Sequence, residues 1–128
     1  MDPLADMLIK IKNAGNAGQE SITVLHSKLK LAVLEALLRK GYLASVTKRG
    51  RKEKKSIDVG ILYESEIPKI KGLERVSKVS RRVYLGAKKI RPVRQKYGDL
   101  FLTTPEGILT GQEAKKKNVG GEALFKIW

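Results

Sequence analysis

The sequence predicts an α/β (α+β) fold of two small lobes, and three observations support this prediction. Apolar residues recur at helical spacing near the start of the chain, they alternate at strand spacing over residues 56 to 63, and the last third contains short apolar runs separated by turns. A stretch with Pro68 and Gly72 but no clear period separates the lobes. We therefore expect an N-terminal α/β lobe over residues 1 to 66 and a mainly β C-terminal lobe over residues 67 to 128.

The first lobe is predicted to follow the order αβαββ. Asp2-Pro3 is a strong helix start, because Asp can accept N–H bonds at the cap and Pro at the first helical position loses no bond. The apolar stripe of this helix comprises Leu4, Met7, Leu8 and Ile11. The remaining elements are a turn over residues 13 to 18, a strand over 21 to 25, a helix over 28 to 40 that is capped by Ser27 and ends at Gly41, and strands over 42 to 47 and 56 to 63.

The second lobe is predicted to be mostly β. Pro105 and Gly107 predict a β-turn over residues 104 to 107, because Pro presets the second turn position and Gly is favoured at the fourth. Thr110 can cap a short helix that runs through about residue 117. The other expected elements are strands over residues 82 to 85, 99 to 103, 108 to 110 and 122 to 128, with an irregular basic stretch over 87 to 98.

Clustered positive charge is the main functional signal. The net charge is +14, and residues 48 to 55 contain six Lys and Arg against one Glu, while residues 73 to 97 contain nine against one. Such clusters favour a polyanionic partner, above all nucleic acid, because binding releases counterions from the phosphates. Aromatic residues make up only 5%, so stacking on single-stranded bases is not the obvious mode of binding.

Two features of the basic clusters have more than one interpretation. The run over residues 48 to 55 is either a solvated hairpin loop or a flexible contact to phosphates. Tyr84 lies beside Arg81 and Arg82 on an expected strand, where its ring could belong to the core or face a nucleic acid. Both pairs of alternatives stay open at this point.

The sequence argues against an enzyme, a cofactor site and a membrane protein. The chain has no cysteine, its one histidine, His26, follows a strand and precedes a helix cap, and its carboxylates are scattered. No phosphate-loop or dinucleotide spacing occurs, and no apolar run is long enough to cross a membrane. We expect no metal, no cofactor, no small-molecule substrate and a cytoplasmic location, with a metal-dependent nuclease as the remaining catalytic alternative.

Several blocks in order along the chain carry a family resemblance. The blocks are Asp2-Pro3-Leu4-Ala5-Asp6-Met7-Leu8 with Ile11-Lys12-Asn13, Ser27-Lys28-Leu29-Lys30 with Gly41-Tyr42, Arg75-Val76-Ser77-Lys78 with Arg82-Val83-Tyr84, Thr103-Thr104-Pro105-Glu106-Gly107-Ile108-Leu109-Thr110, and Gly120-Gly121-Glu122 with Trp128. Together they resemble the bacterial form of the eighth protein of the small ribosomal subunit. Pro105 and Glu106 depart from this pattern, since the family usually has a small hydroxylated residue followed by Lys or Gln.

The resemblance implies a structural constituent of the small ribosomal subunit. Such a protein binds the central domain of the small-subunit ribosomal RNA directly and early, and helps to assemble the platform. The resemblance also implies contacts with small-subunit proteins five and twelve and, as in some relatives, with its own messenger RNA. The alternative is a general basic nucleic-acid-binding protein without a fixed RNA site.

The expected site is a surface that reads a distorted RNA helix. Ordinary A-form RNA hides its base edges in a deep groove, so a protein must read the minor groove, a bulged base or the 2′-hydroxyls, and threonine hydroxyls can both donate and accept there. The expected RNA-binding residues are Lys12, Asn13, Ser27, Lys28, Lys30, Arg82, Tyr84, Thr103, Thr104, Gly107, Gly120, Gly121 and Glu122. The expected phosphate contacts are Lys48, Arg49, Arg51, Lys52, Lys88 and Arg91.

Overall fold

The computed structural model describes residues 2–50, 55–78, 80–91 and 98–128. Its mixture of helices and strands confirms the predicted α+β fold class. The chain divides into two compact units, an N-terminal unit of Pro3–Lys71 and a C-terminal unit of Gly72–Trp128 with Asp2. The division falls after Lys71, whereas the sequence suggests a boundary after residue 66.

The N-terminal unit combines two helices with a three-stranded sheet. Its sheet is antiparallel in the order β1-β3-β2, and β4 pairs with β5 in a separate small hairpin. The elements are α1 (Pro3–Asn16), β1 (Ser21–Leu25), α2 (Lys28–Arg39), β2 (Leu43–Arg49), β3 (Ser56–Ile61), β4 (Tyr63–Glu64) and β5 (Ile67–Pro68).

Helix α1 buries the predicted stripe and then continues beyond it. All four residues of the stripe are buried, as are Ala14 and Gly15 one turn further on. The expected turn at residue 13 is therefore wrong, because the burial period carries the helix to Asn16. Helix α2 begins as predicted, since the Ser27 hydroxyl accepts a hydrogen bond from the Lys30 amide at 3.1 Å.

The β4–β5 hairpin is absent from the sequence-based prediction. Each of its strands is only two residues long, and one of them contains Pro68. The turn residues Ser65 and Glu66 have φ of 51° and 67°, a region that glycine or asparagine normally fills. The pattern therefore lacks both the alternation and the turn chemistry that mark a hairpin.

The C-terminal unit is built around one antiparallel sheet. Strand β10 is its centre, because it pairs with β8 on one side and with both β6 and β7 on the other, while β9 extends the sheet beyond β8. The elements are β6 (Leu73–Arg75), β7 (Tyr84–Leu85), a short 3-10 helix (Ala87–Lys89), β8 (Asp99–Thr104), β9 (Gly107–Thr110), α3 (Gly111–Lys116) and β10 (Gly121–Ile127).

In the second half of this unit, the limits of the strands and of the helix agree best with the limits predicted from the sequence. Strands β8, β9 and β10 and helix α3 lie within one residue of their predicted limits, but β7 is shorter than expected and β6 was not predicted. The cap of α3 is confirmed, because the Thr110 hydroxyl accepts from the Glu113 amide and the Glu113 carboxylate accepts from the Thr110 amide.

The sheet of the C-terminal unit has apolar residues on both faces. Phe101 and Phe125 are fully buried on opposite positions of β8 and β10, and their rings stack with centroids 5.1 Å apart. Leu100 and Leu102 belong to a second cluster that includes Ala114 of α3. This double packing holds β8 against β10 although a β-bulge shifts their register between Ala123 and Phe125.

Gly121 permits a close approach of β10 to β8. A Cβ atom added to Gly121 would collide with the carbonyl oxygen of Thr103, and one added to Gly120 would collide with that of Leu85. These two glycines therefore have a structural reason to be glycine, because any larger residue would push the neighbouring strands away.

We expect Gly121→Ala to lower the free energy of unfolding by about 1–3 kcal/mol, because the added methyl group meets backbone rather than a movable side chain. Gly86→Ala is the matched control, since a Cβ at Gly86 has no heavy atom within 4 Å. It should change stability by less than about 0.5 kcal/mol. Urea unfolding of both variants, followed by circular dichroism, measures the difference, and equal stabilities would contradict the close approach.

Candidate nucleic-acid interface

The register of the C-terminal sheet aligns three of the expected RNA-binding residues. Tyr84 lies directly opposite Glu122, and Glu122 lies directly opposite Thr103. Residues opposite each other on antiparallel strands present their side chains on the same face, with Cα atoms about 4.5–5.5 Å apart. We call Tyr84, Glu122 and Thr103 the recognition row.

The recognition row offers three different chemical groups to a ligand. Tyr84 is 71% exposed, so the interpretation of its ring as core is wrong. Thr103 is half-buried, and its hydroxyl forms no hydrogen bond with any residue that the structure describes. The Glu122 side chain is only 12% exposed, and its carboxylate forms an ion pair with Arg82 Nη1 at 3.1 Å.

The Arg82–Glu122 pair removes the electrostatic objection to a carboxylate in an RNA site. The bond uses Oε2 of Glu122, while the Arg82 side chain stays 54% exposed. A balanced carboxylate does not repel phosphates as an isolated one would, and it keeps lone pairs that can accept a hydrogen bond. The pair therefore holds Glu122 in place without closing it to a ligand.

Thr104 and Gly107 shape the turn that follows the recognition row. The Thr104 hydroxyl donates to the Gly107 carbonyl oxygen at 2.8 Å and accepts from the Glu106 amide at 3.1 Å. Gly107 has a φ of +106°, a backbone conformation that residues other than glycine rarely adopt. Although Thr103 and Thr104 are adjacent in sequence, only the Thr103 hydroxyl is open to a ligand.

Glu106, the acidic departure from the family pattern, lies on the surface of the same turn. Its carboxylate is 4.0 Å from Lys117 Nζ, and both side chains are about half exposed. Such a pair adds little stability, but it places a positive charge beside the carboxylate. The turn therefore does not present an unbalanced negative charge.

Ser77 is a positioning residue that the sequence does not single out. It is 1% exposed, and its hydroxyl accepts from the Val83 amide at 2.8 Å while also lying 3.3 Å from the Val83 carbonyl oxygen, to which it donates. These two hydrogen bonds anchor the segment that carries Arg82 and Tyr84. A serine within a block of basic residues looks like an exposed polar residue, so only the structure shows its burial.

The candidates in the N-terminal unit lie on α1 and at the start of α2. Asn13 and Lys28 are exposed, whereas Lys12 and Lys30 are half-buried. The Ser27 hydroxyl caps α2, so it has a structural role whether or not it meets RNA.

The expected phosphate contacts differ in how they are held. Lys48 and Lys88 are exposed, whereas Arg49 forms an ion pair with Asp58 and Arg91 donates to the Lys88 carbonyl oxygen at 3.0 Å. Arg51 and Lys52 lie outside the described residues. The free lysines can reach phosphates without breaking a bond, while Arg49 must share its charge with a carboxylate.

His26 lies at the end of β1, where its amide donates to the Lys55 carbonyl oxygen at 3.2 Å. Desolvation, followed by the nearby charges of Lys48 and Lys55, lowers the pKa of His26 below its usual 6.5. The ring is therefore neutral at pH 7 and adds no charge to the basic surface. Among residues 2–50, 55–78, 80–91 and 98–128, no group of three His, Asp or Glu side chains could hold a metal ion.

The described part of the chain contains no helix that is long and apolar enough to cross a membrane. Its helices are at most 14 residues long, as in α1.

Comparison with known proteins shows the family. A family model described as "Ribosomal protein S8" matches residues 2–128. "Small ribosomal subunit protein uS8" of Treponema pallidum is 42% identical over 128 residues, which cover 99% of this chain and 97% of that protein. The proteins of the same name from Mesomycoplasma hyopneumoniae and Dictyoglomus thermophilum are 41% and 40% identical over 127 residues, 99% of this chain and 96% and 97% of theirs. The chain belongs to the ribosomal protein S8 family, a family of structural proteins of the small ribosomal subunit and not of enzymes.

Proposed function

We propose that this small-subunit protein binds the central domain of the small-subunit ribosomal RNA directly and helps to assemble the platform of the subunit. The observation that carries the proposal is the recognition row, in which β-sheet register places an exposed ring, a charge-balanced carboxylate and an open hydroxyl side by side. A broad sheet face of this kind fits the wide, shallow minor groove of an RNA helix.

Each group of the recognition row has a partner in a distorted RNA helix. The Thr103 hydroxyl can donate to or accept from a 2′-hydroxyl or a base edge, and the Tyr84 ring can stack on a base that leaves the helix. Glu122 can accept from an exocyclic amino group, while Arg82 balances its charge and is exposed enough to reach a phosphate.

The basic residues supply affinity rather than selectivity. The net charge of +14 and the exposed Lys48 and Lys88 suit contacts with phosphates, which position a protein on RNA but carry no sequence information. Recognition and attraction are therefore assigned to different residues.

The resemblance to the family motivates two further proposals. Small-subunit proteins five and twelve are proposed as neighbours in the assembled particle, and the protein's own messenger RNA is proposed as a second ligand. An RNA that presents the same distorted helix would meet the same row of ring, carboxylate and hydroxyl, because the row reads shape and local hydrogen bonding.

The high charge also favours a second candidate function, a general basic nucleic-acid binder without a fixed RNA site. Footprinting of the purified protein on naked small-subunit ribosomal RNA separates the two. One compact protected segment in the central domain, resistant to excess duplex DNA at physiological salt, supports the specific site. Diffuse protection that duplex DNA removes would support the general binder.

We expect Thr103→Val to weaken binding to the protected RNA helix by about 1 kcal/mol, roughly fivefold, and to leave binding to a scrambled duplex unchanged. Valine keeps the shape of threonine and its strand propensity, so the change removes only the open hydroxyl. Filter binding to both RNAs measures the effect, and the slope of log affinity against log salt should stay the same because no charge changes.

Thr104, which neighbours Thr103, and Ser80, which lies outside the recognition row, serve as controls for this prediction. Thr104→Val should lower the free energy of unfolding by about 0.5–1.5 kcal/mol, because it removes both hydrogen bonds of the turn, whereas Thr103→Val should hardly affect stability. Ser80→Ala removes an exposed hydroxyl outside the row and should leave binding unchanged. Equal loss on both RNAs after Thr103→Val would place recognition elsewhere.

We expect joint neutralisation of Lys48, Arg49, Arg51 and Lys52 by glutamine to weaken cognate and unrelated RNA about equally. A basic run can meet phosphates but has no fixed donor pattern that selects bases. The slope of log affinity against log salt should become shallower by up to about one unit for each phosphate that these side chains no longer neutralise. An unchanged slope would show that the run is only solvated.

A further inference from the structure

Strand β10 carries one residue more than β8 over the stretch where the two strands pair. Ala123 pairs with Leu102 on one side of this extra residue. Phe125 pairs with Phe101 on the other side, which leaves Leu124 without a partner on β8. An unpaired residue of this kind is a β-bulge, which shifts the pairing on one side of it. Leu124 is only 4% exposed, so its backbone groups need hydrogen-bond partners within the protein.

The bulge determines which threonine Glu122 meets. A ladder continued without a bulge from the pair of Phe125 and Phe101 would place Glu122 opposite Thr104, on the other face of the sheet. The extra residue moves the pairing by one position, and Glu122 lies opposite Thr103 instead. Thr104 already uses its hydroxyl in the turn, whereas the Thr103 hydroxyl is open. The recognition row therefore requires the bulge.

The carbonyl oxygen of the bulged residue accepts two hydrogen bonds. The Val76 amide donates to the Leu124 oxygen at 3.1 Å, and the guanidinium of Arg75 donates to the same oxygen through Nη1. A carbonyl oxygen has two lone pairs, so these two donors fix its direction. Hydrogen bonds from a charged donor are roughly twice as strong as neutral ones, and Arg75 is therefore the stronger of the two restraints on the bulge.

Asp2 fixes the guanidinium that makes this bond. Arg75 Nε donates to Asp2 Oδ2 at 2.9 Å, and the two side chains are only 15% and 26% exposed. Both residues belong to the C-terminal unit. A largely buried guanidinium needs partners of this kind, because its loss of hydration is costly. The planar group serves the carboxylate and the Leu124 carbonyl from two different nitrogens, which a single ammonium group cannot reproduce.

We propose that Arg75 is a positioning residue for RNA recognition and that Asp2 is its anchor. Arg75 itself does not touch the RNA. It fixes the bulge at Leu124, and the bulge places Glu122 beside the open hydroxyl of Thr103. The proposal rests on the proposed function, because it explains how the surface that reads the RNA keeps its alignment.

Two simpler roles for Arg75 agree less well with its contacts. A direct contact with phosphate needs an accessible guanidinium, whereas Arg75 is largely buried and already bonded through Nε and Nη1. Arg81, by contrast, is exposed and suits that role. A general stabilising role would not require a bond to the one residue of β10 at which the pairing shifts.

The test compares two arginine variants of the full chain on the central-domain RNA helix and on a scrambled duplex. Arg75→Lys keeps the charge but cannot hold both partners at once, so we expect about threefold to tenfold weaker binding to the cognate helix. Binding to the scrambled duplex and the slope of log affinity against log salt should not change, because no charge is lost. Arg81→Lys, the matched control at an exposed arginine, should stay within about twofold of the wild type on both RNAs.

Two double-variant cycles separate positioning from general stability. Asp2→Asn alone should weaken cognate binding about twofold to threefold, and it should add no further loss to Arg75→Lys, because the anchor acts through the arginine. Thr103→Val should cost about fivefold in the wild type but less than about twofold in Arg75→Lys, whose recognition row is no longer aligned. A variant that merely lowered stability would leave the full cost of Thr103→Val in place.

Nuclear magnetic resonance measures the alignment itself. Nuclear Overhauser effects between Glu122 and Thr103 should weaken in Arg75→Lys, while those between Phe125 and Phe101 persist, because only the first pair lies on the far side of the bulge from β6. Urea unfolding confirms that each variant is folded under the conditions of the assay. If Arg75→Lys does not fold, Asp2→Asn is measured in the same way, since it leaves the guanidinium in place.

The outcomes separate this inference from the proposed function. If Arg75→Lys keeps the selectivity of the wild type, Arg75 is not a positioning residue, whether or not the Overhauser effects change, while the selective loss from Thr103→Val still supports the proposed function. Additive losses from Arg75→Lys and Thr103→Val would also overturn the inference. If the wild type shows no preference for the central-domain helix over the scrambled duplex, the proposed function fails and the inference fails with it.

Discussion

The pairing of β10 with three other strands is the constraint on which the recognition row depends. Glu122 can lie between Tyr84 and Thr103 only because β10 is hydrogen-bonded to β7 on one side and β8 on the other. Phe101 and Phe125 stack on the far side of a β-bulge between Ala123 and Phe125, and Gly121 keeps the strands close where the row begins. A shift by one residue would turn the row to the opposite face of the sheet.

Strand residues carry charged side chains in both units. In each unit an acidic side chain on a strand is balanced by arginine, Glu122 of β10 by Arg82 and Asp58 of β3 by Arg49. The acids therefore contribute hydrogen-bond acceptors without repelling a polyanion. Side chains on strands are also held more rigidly than those on loops, which suits the reading of RNA shape.

The sequence predicted local features better than contacts made at a distance. The helix caps at Ser27 and Thr110 and the turn at Gly107 all depend on neighbours within three residues, so their patterns were sufficient. The alignment of Tyr84 with Glu122 and the anchor at Ser77 depend on strand pairing, which residue spacing does not encode. The role of Thr104 depends on the fold of the turn, in which its hydroxyl donates to the Gly107 carbonyl oxygen, whereas adjacent threonines look equivalent in sequence.

Thr110 is at once the last residue of β9 and the cap of α3, so strand and helix follow one another without a linker. One inserted residue here would rotate α3 by about 100° about its axis and carry Ala114 out of the apolar cluster beneath it. Insertions and deletions should therefore be rare at this junction in related sequences. They should be more frequent at exposed turns such as that of Ser65 and Glu66. The number of residues between Leu109 and Ala114 therefore determines whether both side chains reach the same apolar cluster.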